Sequence, residues 1–204
     1  MVTAEGLKEK KEQYPNAAVV CYVNSSAAIK AESDVCCTSS NAVRVVDSIP
    51  EEEVIFVPDM NLADYVEKQT DKDIIKWEGF CPTHHRVKET DISKVREVFP
   101  DAPIIVHPEC RPGVVEGADF VGSTAQILEF ARKTSSQTVI IGTEEGIIQR
   151  LKRENPGKEF YLHLLLRDKG PVAWALENMK NQITVQDSVR LKAQDALNKM
   201  LDVS

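Results

Sequence analysis

Shifted by 85 positions, so that Pro15 falls on Pro100, the stretch YPNAAVVCYVNSS (14–26) lies without a gap on FPDAPIIVHPECR (99–111). In the same register SDVCCTSSNAV (33–43) lies on ADFVGSTAQIL (118–128), and EVIFVPDMNLA (53–63) lies on TVIIGTEEGII (138–148). Pro15 and Pro100, Asp34 and Asp119, Val54 and Val139, and Ile55 and Ile140 are identical pairs. Two unrelated segments would match in their apolar runs but would need gaps where loops differ in length. A gapless register therefore implies two copies of one unit.

Each copy reads as short apolar runs separated by helical patterns. The runs are AAVVCYV (17–23), EVIFVP (53–58), DIIKW (73–77), APIIVH (102–107), TVIIG (138–142) and EFYLHLL (159–165); SKVREVF (93–99) and STAQILEFARK (123–133) have helical spacing. Unbroken β-branched runs alternating with helices predict parallel strands buried on both faces, hence an α/β fold built from two copies of one αβ module. In such sheets ligands bind beyond the carboxyl ends of the strands. The loops that follow strands are where chemistry is expected.

Those loops carry polar groups at equivalent places. The first strand ends in Tyr22, Val23, Asn24 in one copy and in His107, Pro108, Glu109 in the other; after the second strand come Thr38, Ser39, Ser40 and Ser123, Thr124. Ser39 and Thr124 also read as N-caps of the helices that follow, Tyr22 as a packed ring and Asn24 as a turn residue. His107 and Glu109 flanking a proline form a general acid/base pair in the making.

Cys81 sits in WEGFCPTHHR (77–86), and its position one repeat later is Leu166. Five cysteines (Cys21, Cys36, Cys37, Cys81, Cys110), two of them adjacent, suit reduced thiols or an iron site better than a disulfide framework. Cys81 with His84 and His85 is a second, zinc-type alternative, although no further ligand pair at finger spacing accompanies it. Cys21 reads as core, and Cys36, Cys37 and Cys110 as possible further thiol ligands.

The 204 residues are 42% hydrophobic and 28% charged, enough apolar material for one large domain or two small ones. With 25 Lys and Arg against 32 Asp and Glu, the net charge of −7 and the absence of a basic block argue against nucleic acid as a partner. MVTAEGLKEKKEQYP lacks the apolar region of a secretory signal, and no apolar run approaches the roughly 20 residues that span a bilayer. A cytoplasmic protein with no membrane contact is expected.

YVNSSAAIKAESDVCCTSSNAV, WEGFCPTHHR, VHPECRP, DFVGSTAQI and GTEEGIIQRLKRENP resemble the signature stretches of the quinolinate synthase family, a likeness that covers nearly the whole chain except about 162–175. The resemblance implies three αβα modules about a pseudo-threefold axis, each giving one cysteine to a 4Fe-4S cluster whose open iron acts as a Lewis acid. It implies condensation of iminoaspartate with dihydroxyacetone phosphate to quinolinate in NAD biosynthesis, with L-aspartate oxidase or aspartate dehydrogenase supplying iminoaspartate. By the same resemblance Cys81 is a cluster ligand, Tyr22, Asn24, Ser39, His107, Glu109 and Thr124 bind substrate, and Glu109, His107 and Tyr22 are catalytic. Residues 1–81 then match the family's second module, 82–166 its third, and 167–204 a C-terminal helical segment.

Two departures accompany the likeness. The family's first module would lie before Met1, and the cysteine expected near position 166 is replaced by YLHLLLRDKGPVAWALENM. With two of three cluster cysteines absent, the alternative expectation is a catalytically inactive remnant or binding module.

Overall fold

A computed structural model describes residues 2–162 and 185–203. The first copy contains β1 (Ala18–Tyr22), β2 (Val35–Cys37), β3 (Glu53–Val57) and β4 (Asp73–Lys76), with helices α1 (Ala4–Gln13), α2 (Ala27–Ala31), α3 (Ala42–Asp47) and α4 (Met60–Glu67). The second contains β5 (Ile104–Val106), β6 (Phe120–Val121), β7 (Thr138–Gly142) and β8 (Glu159–Leu162). Its helices are α6 (Glu89–Val98), α7 (Pro112–Glu116), α8 (Thr124–Lys133) and α9 (Gly146–Glu154), and the short α5 (Pro82–His85) joins the copies. A final helix spans Asp187–Val203. The sheets run β2-β1-β3-β4 and β6-β5-β7-β8, all parallel, so the α/β class and the duplicated layering are present as expected.

The identical residue pairs have identical jobs. Asp34 Oδ2 accepts from Val19 N–H at 2.8 Å, and Asp119 Oδ2 accepts from Ile104 N–H at 2.7 Å, 85 residues on. In both copies a carboxylate just before the edge strand ties down the start of the central strand. Pro15 and Pro100 follow helix caps with near-identical backbones, Tyr14 at φ −127°, ψ 69° and Phe99 at φ −129°, ψ 69°, because the residue before a proline is pushed out of the helical region.

Alternate strand residues go to opposite faces. In the second copy Ile105, Ile127, Val139, Ile141, Leu151 and Phe160 form one core, and Ile104, Val106, Val114 and Ile140 form another across the sheet. The first copy is centred on Val19, Val20, Ile55, Phe56 and Leu62, and Ala196 and Met200 of the final helix join that core. The final helix packs on α2 and β2. Among the described residues no helix is long and apolar enough to cross a membrane.

The sequence reading needs three corrections. Cys36 and Cys37, expected as possible further thiol ligands, lie inside β2 with no exposed surface, because Val35, Cys36 and Cys37 pair with Val20, Cys21 and Tyr22. Ser39 is not a helix cap, since α3 starts at Ala42 after Asn41. Thr124 is the first residue of α8 rather than its cap; Ser123 accepts from Gln126 N–H, and the Gln126 side chain returns the bond to Ser123 N–H. The end of the EFYLHLL run and Leu166 lie outside the described residues.

Candidate active site

The ends of β1, β3, β4 and β5 open on one cleft of about 500 Å³, lined by Tyr22, Asn24, Asp59, Cys81 and Glu109 among others. Tyr22 is the last residue of β1, and its hydroxyl donates to Glu109 Oε2 at 3.3 Å. Asn24 Nδ2 donates to the same hydroxyl at 3.0 Å. Glu109 is 5% exposed and His107 4%. His107 Nδ1 lies 3.2 Å from Glu109 Oε2, and its Nε2 is 3.2 Å from Ser39 Oγ of the other copy. Two loops from the two copies therefore meet face to face at Glu109.

His84, on α5, completes the cluster. Its ring stacks on that of His107 at 4.5 Å between centroids, Nε2 lies 2.8 Å from Thr143 Oγ1, and Nδ1 lies 3.4 Å from Glu109 Oε2 without a hydrogen bond. Cys81, half-buried at the cap of α5, has Sγ within 4.8 Å of ligand atoms on His84 and Glu109. Behind it, Asp59 Oδ2 accepts the Cys81 N–H while Oδ1 caps α4 through Asn61 N–H and Leu62 N–H. One buried carboxylate thus joins the loops after β3 and β4.

Burial sets the proton affinities here. It lifts Asp59 to about 6, against the stabilising N–H bonds from Cys81 and Leu62. It pushes His84 down to about 4, helped by the neighbouring His107. The Tyr22 phenol is raised by burial and then by the Glu109 charge, so it stays a donor. Burial opposes ionisation of Glu109, but the His107 hydrogen bond, both imidazoles and the Tyr22 hydroxyl outweigh it and hold the carboxyl below its ordinary range. Burial also raises the Cys81 thiol.

Tyr22, Asn24, Ser39, His107, Glu109 and Cys81 come together around one cleft or contact its walls. Thr124 does not: it is exposed and lines a separate groove with Leu128, Arg132 and Arg150. The zinc-type alternative of Cys81 with both histidines is not what the geometry gathers. His85 stacks on Phe80 at 3.9 Å, and its Nδ1 meets Asn61 Nδ2 at 3.2 Å, whereas His84 and Glu109 stand beside the thiol. Sequence reasoning missed Asp59 and Thr143, although each directly follows or nearly follows the third strand of its copy. Reading the third pair of loops as the first two were read would have exposed them.

The duplicated sheets and the buried imidazole–carboxylate–phenol cluster define a modular α/β protein with acid–base groups gathered where its repeats meet. The chain belongs to the quinolinate synthetase A protein family, whose pattern it matches over residues 1–202. It is 50% identical over 212 residues to the quinolinate synthase of Alkaliphilus metalliredigens, covering 100% of this chain and 70% of that protein. With the quinolinate synthase of Methanosarcina barkeri the identity is 49% over 211 residues, covering 100% and 69%; with that of Caldicellulosiruptor saccharolyticus it is 48% over 213 residues, covering 100% and 70%.

Proposed function

We propose that the cleft binds the substrates of the quinolinate synthase reaction, iminoaspartate and dihydroxyacetone phosphate, and that Glu109 moves the protons which elimination and ring closure require. The observation that carries this reading is Glu109 itself: a buried carboxylate on the wall of the cleft, bonded to the Tyr22 hydroxyl and 3.2 Å from His107 Nδ1. Such a group exchanges a proton with its neighbours without solvent. Tyr22, Asn24 and the hydroxyls of Ser25 and Ser26, all lining the cleft, would orient substrate oxygens. Ser39 acts through His107, and Thr124 would join only a ligand long enough to leave the cleft. L-aspartate oxidase or aspartate dehydrogenase would supply iminoaspartate. Residues 1–81 and 82–166 would correspond to the family's second and third modules, with 167–204 as a C-terminal segment.

Family chemistry places a 4Fe-4S cluster as the Lewis acid, and Cys81 is the residue that would face it. Such clusters normally take three or four protein ligands. Of the five cysteines, Cys21, Cys36, Cys37 and Cys110 have no exposed surface, and Cys110 donates to Gly142 O at 3.4 Å. The thiols of this chain alone do not fit the cluster. That mismatch favours a second reading, a binding module that keeps the substrate cleft without the catalysis.

Calorimetric titration of the anaerobically purified full chain with dihydroxyacetone phosphate and with quinolinate tests the shared premise. Saturable binding weakened about tenfold by Tyr22→Phe or Asn24→Ala supports it, and no binding of either compound rejects it. Quinolinate formation, lost on Glu109→Gln, then separates the enzyme from the binding module.

A further inference from the structure

Cys21 and Cys36 stand side by side in the first sheet, and we propose that they form a peroxide-reactive dithiol that closes to a disulfide between the inner strand β1 and the edge strand β2. Three observations carry it. The first is register: β1 and β2 run parallel, and Cys21 is paired with Cys36. Neighbouring strands lie about 4.8 Å apart and residues paired in this way face the same side of the sheet, while disulfides bridge Cα separations of about 4.4–6.8 Å. Cys37, one residue on, faces the opposite side and is paired with Tyr22. Cys36 is therefore the thiol within reach.

Second, the two sulfurs differ in chemistry. The side chains of Cys21 and Cys36 are hydrogen-bonded to each other, and that bond, aided by the Ser25 and Ser33 hydroxyls and the Lys30 ammonium, brings the Cys21 thiol down to about 7 against the opposing effect of burial. The same bond, with burial, holds the Cys36 thiol up. One partner is a ready thiolate at neutral pH and the other stays a thiol that can resolve the oxidised product.

Third, access selects the oxidant. Neither cysteine has exposed surface, but Cys21 Sγ lies 2.8 Å from Ser25 Oγ, and Ser25 lines the cleft. One side chain separates the sulfur from the cleft, a barrier that a molecule of two oxygens can pass and a tripeptide disulfide cannot. Cys21 also directly precedes Tyr22, whose hydroxyl donates to Glu109, so the modification falls beside the wall of the cleft.

The chemistry closes on the two thiols and hydrogen peroxide alone. The Cys21 thiolate attacks one peroxide oxygen, the O–O bond breaks, and the departing hydroxide takes a proton from solvent, leaving Cys21 as a sulfenic acid. The Cys36 sulfur then attacks the Cys21 sulfur; the S–S bond forms as the S–O bond breaks, and the second hydroxide leaves as water with the Cys36 proton. Two thiols and one peroxide become one disulfide and two waters. The assignment stands whatever the cleft binds.

The test treats the folded full chain, purified anaerobically and with Cys81 capped by a bulky maleimide, with hydrogen peroxide. The remaining thiols are capped in denaturant and the chain is digested with trypsin without reductant. Cleavage after Lys11, Lys30 and Arg44 yields peptide 12–30 with Cys21 and peptide 31–44 with Cys36 and Cys37. The expected product is these two peptides joined, about 2 Da lighter than their sum and parted by dithiothreitol. Cys37→Ala keeps the link. Cys36→Ala abolishes it and leaves a Cys21 sulfenic acid that dimedone labels. Oxidised glutathione in place of peroxide gives neither link nor adduct. Circular dichroism melting confirms that the variants are folded under the reaction conditions. No joined peptide from the folded wild-type chain, equal joining in Cys36→Ala, or joining only after denaturation would each overturn the proposal.

Discussion

Asp59 and His84 flank Cys81, and burial shifts them in opposite directions along the pH scale. The unfolded chain protonates His84 near 6.5 and the folded chain only near 4, so its stabilising contribution is complete above 6.5 and fades as pH falls toward 4. Asp59 behaves inversely: neutral more readily when folded, it contributes below 3.8 and loses that contribution as pH rises through about 6. Each shift corresponds to about 3 kcal/mol, so in metal-free protein the two oppose each other between pH 4 and 6. Asp59→Asn should steepen acid destabilisation, while His84→Gln should make the protein gain stability on acidification through the same interval. Urea midpoints at pH 4.5 and pH 7 measure both, and parallel profiles for the two variants would contradict the assignment. Glu109 differs from both, because its hydrogen bonds favour the ion: its contribution is complete above its unfolded value of 4.5 and is lost as pH falls below it, so Glu109→Gln should soften destabilisation at the acid end.

At the level of helices and strands, caps and close approaches set the costs of substitution. Ser123→Ala should cost about 1 kcal/mol by removing the cap of α8, whereas Thr124→Ala, one residue on, should be nearly neutral in thermal melting. Gly142→Ala should cost about 1–3 kcal/mol, because a Cβ there would stand 2.8 Å from Val106 Cγ1 on the neighbouring strand. The strands were legible because Val, Ile and Phe runs such as 53–57 have no other stable placement than a sheet covered on both faces. The repeat gave the pairing of elements, since α1 and α6, α2 and α7, and β3 and β7 each begin and end 85 residues apart. It did not give the cap of α8, because Ser123 and Thr124 are both good caps and only backbone geometry chooses between them. It also hid Asp59: a carboxylate after a strand reads as a helix cap, and its second bond, to Cys81 N–H, comes from a loop 22 residues away.

For the molecule as a whole, the two copies are not equally self-sufficient. The first fills its core partly with Ala196 and Met200 from the final helix, while the second has its own core on each face of its sheet. Met200→Asp should therefore destabilise by about 2–4 kcal/mol, with amide exchange accelerating in β1 and β2 before β5 and β7. Uniform acceleration across both sheets would show that the copies unfold as one. The distribution of sulfur has a practical side. Cys21 is shifted down to about 7, chiefly by its hydrogen bond with Cys36, so it is intrinsically the readiest thiol, yet it has no exposed surface. Reactivity toward a bulky maleimide is then decided by access, and only Cys81 has it. The folded chain should accept a single fluorophore and the denatured chain five. A dye can be installed at the mouth of the cleft with no engineering at all, so that its emission reports directly on whatever enters.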